Sequence, residues 1–256
     1  MKTSILSNKF VKILVATVFW LAVWYILAAI IHKEIFLPYP HKVVEKFFVL
    51  AKDLSFIKTV AVSLHRIIVG FVFGVALGFG LALITHKSSF AMVIFSPAIR
   101  VARATPVVSF ILLAFLWLDN DNIPIFIALL MVLPIVWQNV LAGLENRDKK
   151  LKEMAKVFGI SPIKVFFKIT LPEIKPYFFS GTITSLGLAW KSGIAAEVIS
   201  YPGIAIGKEM NNAKVMLETT DVFVWTITVV ALSLILEGLL RLVMRSKEEE
   251  TADDRT

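Results

Sequence analysis

The sequence predicts an all-α membrane protein of one domain, with six transmembrane helices and with both termini in the cytoplasm. Hydrophobic residues make up 57% of the 256 residues and charged residues only 18%, a balance that soluble domains do not have. Uncharged apolar runs of membrane-spanning length recur along the chain, and no long polar stretch separates them. We therefore treat residues 1–256 as one transmembrane domain, with its core at about 60–245.

Three apolar runs without a charged residue predict the first set of spans, at residues 13–31, 67–85 and 123–144. The first run is longer than the core of a signal peptide and lacks a small-residue cleavage pattern, so we expect a retained signal-anchor helix. Gly70, Gly74 and Gly78 recur every four residues on one face of the second run. This spacing favours close packing against a neighbouring helix rather than a solute site.

Three further runs contain charge or border it, and we expect them to face other helices or water rather than lipid: residues 104–118, 176–200 and 222–240. At ~1.5 Å of rise per residue, Lys191 lies past the midplane of its span and Glu197 lies near the outer boundary. These two side chains could reach outward or bond to neighbouring helices, and they could also take part in solute passage.

Basic residues set the predicted orientation. With a cytoplasmic N-terminus, the inner side receives most lysines and arginines, including Arg100, Arg103 and the eight basic residues of segment 147–175. On the outer side, apolar and charged residues alternate at helical spacing in 37–63, which predicts a segment along the membrane interface. The polar tail at 247–256 is expected to fray.

Several classes of chemistry are excluded or disfavoured. The chain has no cysteine, which excludes disulfides, thiolate metal sites and cysteine nucleophiles. The four histidines have no metal-ligand spacing, so no metal site is expected. Residues 203–209 imitate a phosphate-binding loop, but Glu209 stands where a Ser or Thr must reach magnesium, so this chain is not expected to hydrolyse ATP. Membrane orientation explains the net charge of +8 better than nucleic-acid binding does.

Residues 145–172 predict two short amphipathic helices on the cytoplasmic side. Leu151, Met154, Ala155 and Phe158 fall at i, i+3, i+4 and i+7 and form an apolar stripe on the first helix. From these residues alone, the pair could rest on the bilayer surface or be an inner loop that follows the distribution of positive charge.

The turn between these two helices has its own sequence signals. Gly159 is expected to end the first helix in a left-handed conformation. Ser161 is a suitable N-cap for the second helix, and Pro162 suits its first position. Pro172 and Pro176 are expected to close the segment where the next span begins.

The spacing in this segment resembles the signature loop of permeases of binding-protein-dependent ABC transporters. Glu153, Met154 and Ala155 are followed after three residues by Gly159, and Leu171-Pro172 ends the pattern. In that family the loop docks on a cytoplasmic ATPase subunit, which implies coupling helices at about 147–170. The resemblance and the turn signals together imply this set of coupling residues: Glu153, Ala155, Phe158, Gly159, Ser161, Pro162, Leu171 and Pro172.

Other stretches resemble the nitrate, sulfonate and taurine branch of these permeases: LPYPHKVVEKF from Leu37, SLHRIIVGFVFGVALGFGLAL from Ser63, and Ala196-Glu197 followed by Gly203. This resemblance implies a type I importer subunit with the MetI-like arrangement in the inner membrane, surrounded by lipid. The implied partners are a second copy of the chain, a cytoplasmic ATPase dimer and an extracytoplasmic solute-binding protein. ATP and magnesium would bind to the ATPase, and no cofactor is expected in this chain. Lys191 would favour a small anionic solute.

Two functions from other classes remain open at the level of the residues. A secondary ion-coupled carrier could use Lys191, Glu197 and Glu237, although it would show paired internal repeats with broken helices. A membrane-embedded hydrolase needs a nucleophile and a base at membrane depth, and the uncharged spans contain no histidine. The permease interpretation uses Lys191 and Glu197 as candidates for the solute pathway instead.

Overall fold

A computed structural model describes residues 9–253, and helices account for most of this range. In chain order they are α1 (Lys9–Ile31), α2 (Pro40–Leu50), α3 (Leu54–Lys87), α4 (Ser89–Ala104), α5 (Val107–Ala114), α6 (Ile123–Glu145), α7 (Lys149–Val157), α8 (Pro162–Val165), a π-helical turn (Phe166–Thr170), α9 (Leu171–Ser200), α10 (Ile206–Val215) and α11 (Thr219–Asp253). The prediction of an all-helical protein is confirmed for these residues.

Within the described chain, four helices are long and apolar enough to cross a membrane: Val11–Ile31, Leu54–Lys87, Ile123–Glu145 and Thr219–Met244. The pair α4 and α5 makes a fifth if it is counted as one broken span. Helix α9 has 30 residues, which is sufficient length, but it carries more polar residues than the other four. Six spans therefore depend on how α9 and the broken pair are interpreted.

The predicted span at 104–118 is wrong, because these residues do not form one helix. Helix α4 begins earlier, at Ser89, and the axis bends by 105° between α4 and α5. Pro106 causes the break, since a proline disfavours helical conformation at the residue before it, and Thr105 is extended with φ −80° and ψ 133°. Arg100 and Arg103, which the prediction placed in an inner loop, therefore lie within a helix.

The core of the protein forms where α6 packs between α3 and α9. The glycine face of α3 lies at the crossing with α6. A Cβ atom added at Gly70 would lie 2.8 Å from the Cβ of Ala128, and one added at Gly74 would lie 2.7 Å from the Cβ of Val132. Gly78 also faces α6. Only glycine lets the two helix backbones approach this closely.

Helix α1 is exposed along most of its length, as expected of a helix that faces lipid. Trp24 joins it to the rest of the protein. Its indole Nε1 donates a hydrogen bond to the carbonyl of Pro38 at 3.1 Å, and its ring stacks on Phe223 with centroids 5.5 Å apart.

The outer segment 37–63 divides into α2 and the beginning of α3, so part of the predicted interfacial stretch belongs to a long membrane helix. Asp53 caps α3 by accepting a hydrogen bond from the backbone amide of Ser55 at 2.9 Å. This amide, together with the Ser55 hydroxyl, holds the pKa of Asp53 below its usual value. At the other end of the chain, α11 continues through 247–253, where fraying is predicted, and residues 254–256 lie outside the described range.

Candidate functional site

The segment after α6 forms a compact turn between α7 and α8. Asp148 caps α7 by accepting a hydrogen bond from the amide of Lys150 at 2.8 Å. Gly159 has a φ of 64°, which is the left-handed conformation that the sequence predicts at the end of this helix. The amide of Ile160 then donates to the carbonyl of Ala155 at 2.9 Å, which completes the helix end.

The second half of the segment differs from the prediction, because it continues into the next long helix. Pro162 begins α8, and α8, the π-helical turn and α9 follow one another without a break. Pro172 explains the π-helical turn: it has no amide hydrogen for the carbonyl of Lys168, and its ring crowds that carbonyl. The amide of Leu171 bonds instead to the carbonyl of Phe166, five residues earlier. The next long helix begins at Leu171, beside Pro172 as predicted, but neither Pro172 nor Pro176 interrupts the helix.

Large apolar side chains on this segment lie in the open. Phe158 is 74% exposed, Ile163 is 71% exposed and Phe167 is 59% exposed, whereas Ala155 is buried. Lys156, Lys164 and Lys168 are exposed around them. An amphipathic surface of this kind is typical of an interface with a partner, since water alone would not favour exposed aromatic rings. We call residues 149–168 the coupling segment.

Arg147 precedes the coupling segment and connects residues on either side of it with the end of α3. Its Nε donates to the carbonyl of Leu144 at 2.9 Å, and its Nη1 donates to the hydroxyl of Thr170 at 2.8 Å. Its Nη2 lies 2.8 Å from Nε2 of His86. One guanidinium therefore joins the ends of α3 and α6 to the residue that precedes α9.

Glu197 is fully buried near the C-terminal end of α9. Its Oε2 accepts hydrogen bonds from the hydroxyl of Ser63 at 2.8 Å and from the amide of Gly207 at 3.1 Å. Its Oε1 lies 3.7 Å from Nη1 of Arg66, which is an ion-pair distance but too long for a hydrogen bond. Glu197 thus joins α3, α9 and α10, and its carboxylate is not open to a solute in this arrangement.

Arg66 extends the same polar cluster to the surface of the protein. Its guanidinium bonds to Asp121, which lies in the loop before α6, and to the carbonyl of Ile204. Asp121 also accepts a hydrogen bond from the amide of Gly203 at 3.2 Å. The loop before α6 is therefore part of the contact between α3 and the segment before α10.

Lys191 has the opposite environment from Glu197. It is exposed and shares an exposed stripe of α9 with both polar and apolar residues at helical spacing, namely Ser180, Thr184, Leu188, Ala195 and Ile199. The two charges do not pair with each other, as their six-residue separation on a regular helix predicts.

A second polar position lies on α6 and was not identified from the sequence. Gln138 is exposed, whereas the other residues of 123–144 are buried or half-buried. Its Oε1 accepts a hydrogen bond from Nη1 of Arg103 on α4. Neighbouring Arg100 bonds to Ser96 at 2.9 Å. The contact between Arg103 and Gln138 was not predicted, because the predicted span began at 104 and left Arg100 and Arg103 in a loop.

Comparison with known proteins identifies the class of membrane protein that has this arrangement. A family model described as "Binding-protein-dependent transport system inner membrane component" matches residues 70–248, which is more than half of the chain. The chain belongs to this family. It is a multi-pass inner-membrane permease of the ABC importers, and the secondary carrier is not favoured.

Relatives of this permease are named for three kinds of solute. A permease protein of Escherichia coli (strain K12) named for aliphatic sulfonates transport is 34% identical, with 77% of this chain and 74% of the relative covered. The taurine transport system permease protein of the same organism is 25% identical, with 88% and 84% covered. The nitrate import permease protein of Synechocystis sp. (strain ATCC 27184 / PCC 6803 / Kazusa) is 26% identical, with 79% and 76% covered. These relatives support the branch that the sequence motifs indicate.

The permease fold is also similar to the crystal structure of an amino acid ABC transporter with histidines. The TM-score is 0.59 at 15% identity, and the match covers 77% of this chain and 97% of that chain. At this identity the likeness concerns the fold. The family consists of transport subunits that work with an ATPase and a binding protein, so coupling and solute passage are the two tasks to assign to residues.

Proposed function

We propose that the permease forms the membrane pathway for a small anionic solute, as a homodimer bound to two cytoplasmic ATPase subunits and an extracytoplasmic binding protein. The relatives are named for nitrate, taurine and aliphatic sulfonates, and each of these solutes carries an anionic group. ATP and magnesium are assigned to the ATPase, and this chain contributes no covalent step.

The proposal of an anionic solute rests mainly on cationic side chains that lie on exposed faces of membrane helices. Lys191 is the charged residue on an exposed stripe of α9 that mixes polar and apolar side chains, and Arg103 bonds to exposed Gln138 across α4 and α6. Cationic side chains at membrane depth are costly unless they face water, a partner or a polar ligand. Lys191, Arg103 and Gln138 are therefore our pathway residues. Buried Glu197, the other sequence candidate, has a structural role in this proposal.

Six spans follow from the same interpretation. The bent pair α4 and α5 counts as the third span, and α9 counts as the fifth because its exposed face, which carries Lys191, faces the pathway rather than lipid. An even number of spans places both termini on one side of the membrane. The basic coupling segment and the end of α11 then lie in the cytoplasm, in agreement with the distribution of positive charge.

For coupling, the proposed contact surface consists of the exposed residues Glu153, Phe158, Gly159, Ser161 and Pro162. Of the other predicted coupling residues, Ala155 is buried beneath this surface, and Leu171 and Pro172 are half-buried. The exposed apolar side chains around Phe158 support docking on a protein groove. Because α8 leads directly into α9, and Arg147 joins Thr170 at the beginning of α9 to α3 and α6, displacement of the segment by the ATPase would move these helices as rigid bodies.

The test of this proposal is uptake by the assembled transporter with Lys191→Gln. We expect at least a tenfold loss of uptake of nitrate, taurine or an alkanesulfonate, whichever the unmodified transporter imports, because one cation is removed from the pathway. Lys214→Gln removes the same charge from an exposed position on α10 and should leave uptake unchanged. Unchanged uptake in Lys191→Gln, or import of cationic solutes by the unmodified transporter, would contradict the proposal.

A further inference from the structure

A cavity of about 630 Å³ lies where the ends of α3 and α6 meet the coupling segment. Its walls include apolar side chains from both sides, among them Leu83, Leu144 and Phe166. Its lining also includes Lys87 at the end of α3 and Lys156 on α7. The cavity is therefore an apolar space with cationic groups that come from a membrane helix and from the coupling segment.

The ionisable side chains that line this cavity are all basic. Besides the two lysines it is lined by Arg147 and His86, and none of its lining residues carries a carboxylate. A smaller cavity of about 320 Å³ shares Arg147 and His86, and it is this one that Glu145, Asp148 and Glu173 line. An anion would thus be favoured in the larger cavity, where Lys87 and Lys156 lie.

The cationic side chains in the larger cavity differ in how firmly hydrogen bonds hold them. Arg147 is held by its bonds to Leu144, Thr170 and His86, so it provides a fixed positive charge. Lys87 and Lys156 are exposed lysines on separate elements, and their long side chains can turn toward a ligand. This combination suits a phosphate group better than a carboxylate side chain held at one angle, since lysines bind phosphate as point charges from several directions.

We propose that the cavity binds the headgroup of an acidic phospholipid from the cytoplasmic leaflet. Leu83 and Lys87 belong to the last turns of α3, which is the level of the lipid headgroups for a spanning helix, and basic pockets at this level attract anionic lipids. The apolar wall would hold the glycerol and the first methylene groups of the lipid. The leaflet assignment rests on the proposed orientation.

Such a lipid would contact both a membrane helix and the coupling segment. It would shield Lys87, Arg147 and Lys156 from one another and stabilise the present arrangement of the segment. The main competing occupant is an acidic side chain of the ATPase, which would need the same positive charges.

The test uses the full-length permease without ATPase, titrated with phosphatidylglycerol or phosphatidylcholine in detergent and followed by native mass spectrometry. We expect phosphatidylglycerol to bind more tightly. Each of Lys87→Gln and Lys156→Gln should weaken its binding about fivefold, and the double variant about 30-fold. The double variant Lys164→Gln/Lys168→Gln removes the same charge from exposed positions outside the cavity and should change binding less than twofold.

Three results would overturn the lipid assignment. Equal affinity for the two lipids would show that the headgroup charge is not recognised, and equal losses in both double variants would show general attraction only. Competition by soluble glycerol phosphate as strong as that of the lipid would assign the cavity to a free phosphate ester. Neither ATPase nor solute is present in this titration, so a failure of the proposed transport function would not change the measured lipid affinities. A reversed orientation of the protein would be detected by cysteine labelling in intact cells.

Discussion

Lys191 and Glu197 lie six residues apart on α9, yet their side chains have opposite environments. Glu197 is buried against Ser63 and Gly207, whereas Lys191 is exposed on the surface of the helix. The sequence identifies both as charges that need an explanation at membrane depth. Only their positions around the helix axis distinguish Glu197, which has a structural role, from Lys191, which is the pathway candidate.

At the residue scale, the clearest energetic prediction concerns Gly74. In Gly74→Ala the new methyl group would lie 2.7 Å from the Cβ of Val132 and 2.9 Å from the carbonyl oxygen of Leu129, so α3 and α6 must separate. We expect a loss of about 1–3 kcal/mol in the free energy of unfolding, measured by denaturant titration in detergent with circular dichroism.

The matched control is Gly80→Ala, on the same helix. A Cβ atom at Gly80 has no neighbour within 4 Å, so the higher helix propensity of alanine should leave stability equal or raise it by up to about 1 kcal/mol. If Gly74→Ala behaves like Gly80→Ala, the glycine face does not determine the distance between α3 and α6.

At the element scale, the second half of the coupling segment, from α8 onward, extends α9, and one glycine turn joins it to α7. The π-helical turn at Phe166–Thr170 stands where Pro172 prevents the normal bonding pattern, yet the helix continues on both sides. This continuity means that force applied near Ile163 reaches α9 along a helix rather than through a loop. It also means that Gly159 is the point at which α7 can change its angle.

Gly159→Val should weaken docking of the ATPase. Its φ of 64° is strained for a β-branched residue, by about 1–2 kcal/mol for the left-handed region, so α7 and α8 would have to change their relative position. We expect clearly reduced co-purification of the ATPase with membrane levels of the permease unchanged. Gly159→Asn, which tolerates the left-handed region, should retain most of the ATPase. Normal co-purification with the valine variant would remove Gly159 from the coupling mechanism.

At the scale of the whole molecule, the orientation in the membrane follows from the side on which the charged elements lie. The six-span interpretation places the coupling segment inside and α10 outside, although both are amphipathic and both lie at the ends of long helices. The polar cluster of Arg66, Asp121 and Glu197 would then hold the outer ends of the helices together, while Arg147 holds the inner ends. Rigid outer and inner contacts of this kind suit helices that rock as a body.

This orientation can be tested directly, because the chain has no cysteine of its own. In intact cells, a membrane-impermeant maleimide should label Lys214→Cys on α10 and leave Lys164→Cys on the coupling segment unlabelled, since both side chains are exposed but on opposite sides. After permeabilisation both should react equally. The reverse pattern in intact cells would invert the proposed topology.

The sequence by itself determined the helical class, the uncharged spans, the turn at Gly159 and the resemblance that the family match supports. These features depend on local composition, on spacing and on residues whose conformational preference is local. Tertiary structure decided the rest: the early beginning of α4, the pairing of Arg103 with Gln138, the burial of Glu197 and the junction at Arg147. Each of these depends on which residues of distant helices meet, because the cost of a charge at membrane depth is set by the partners around it rather than by its place in the chain.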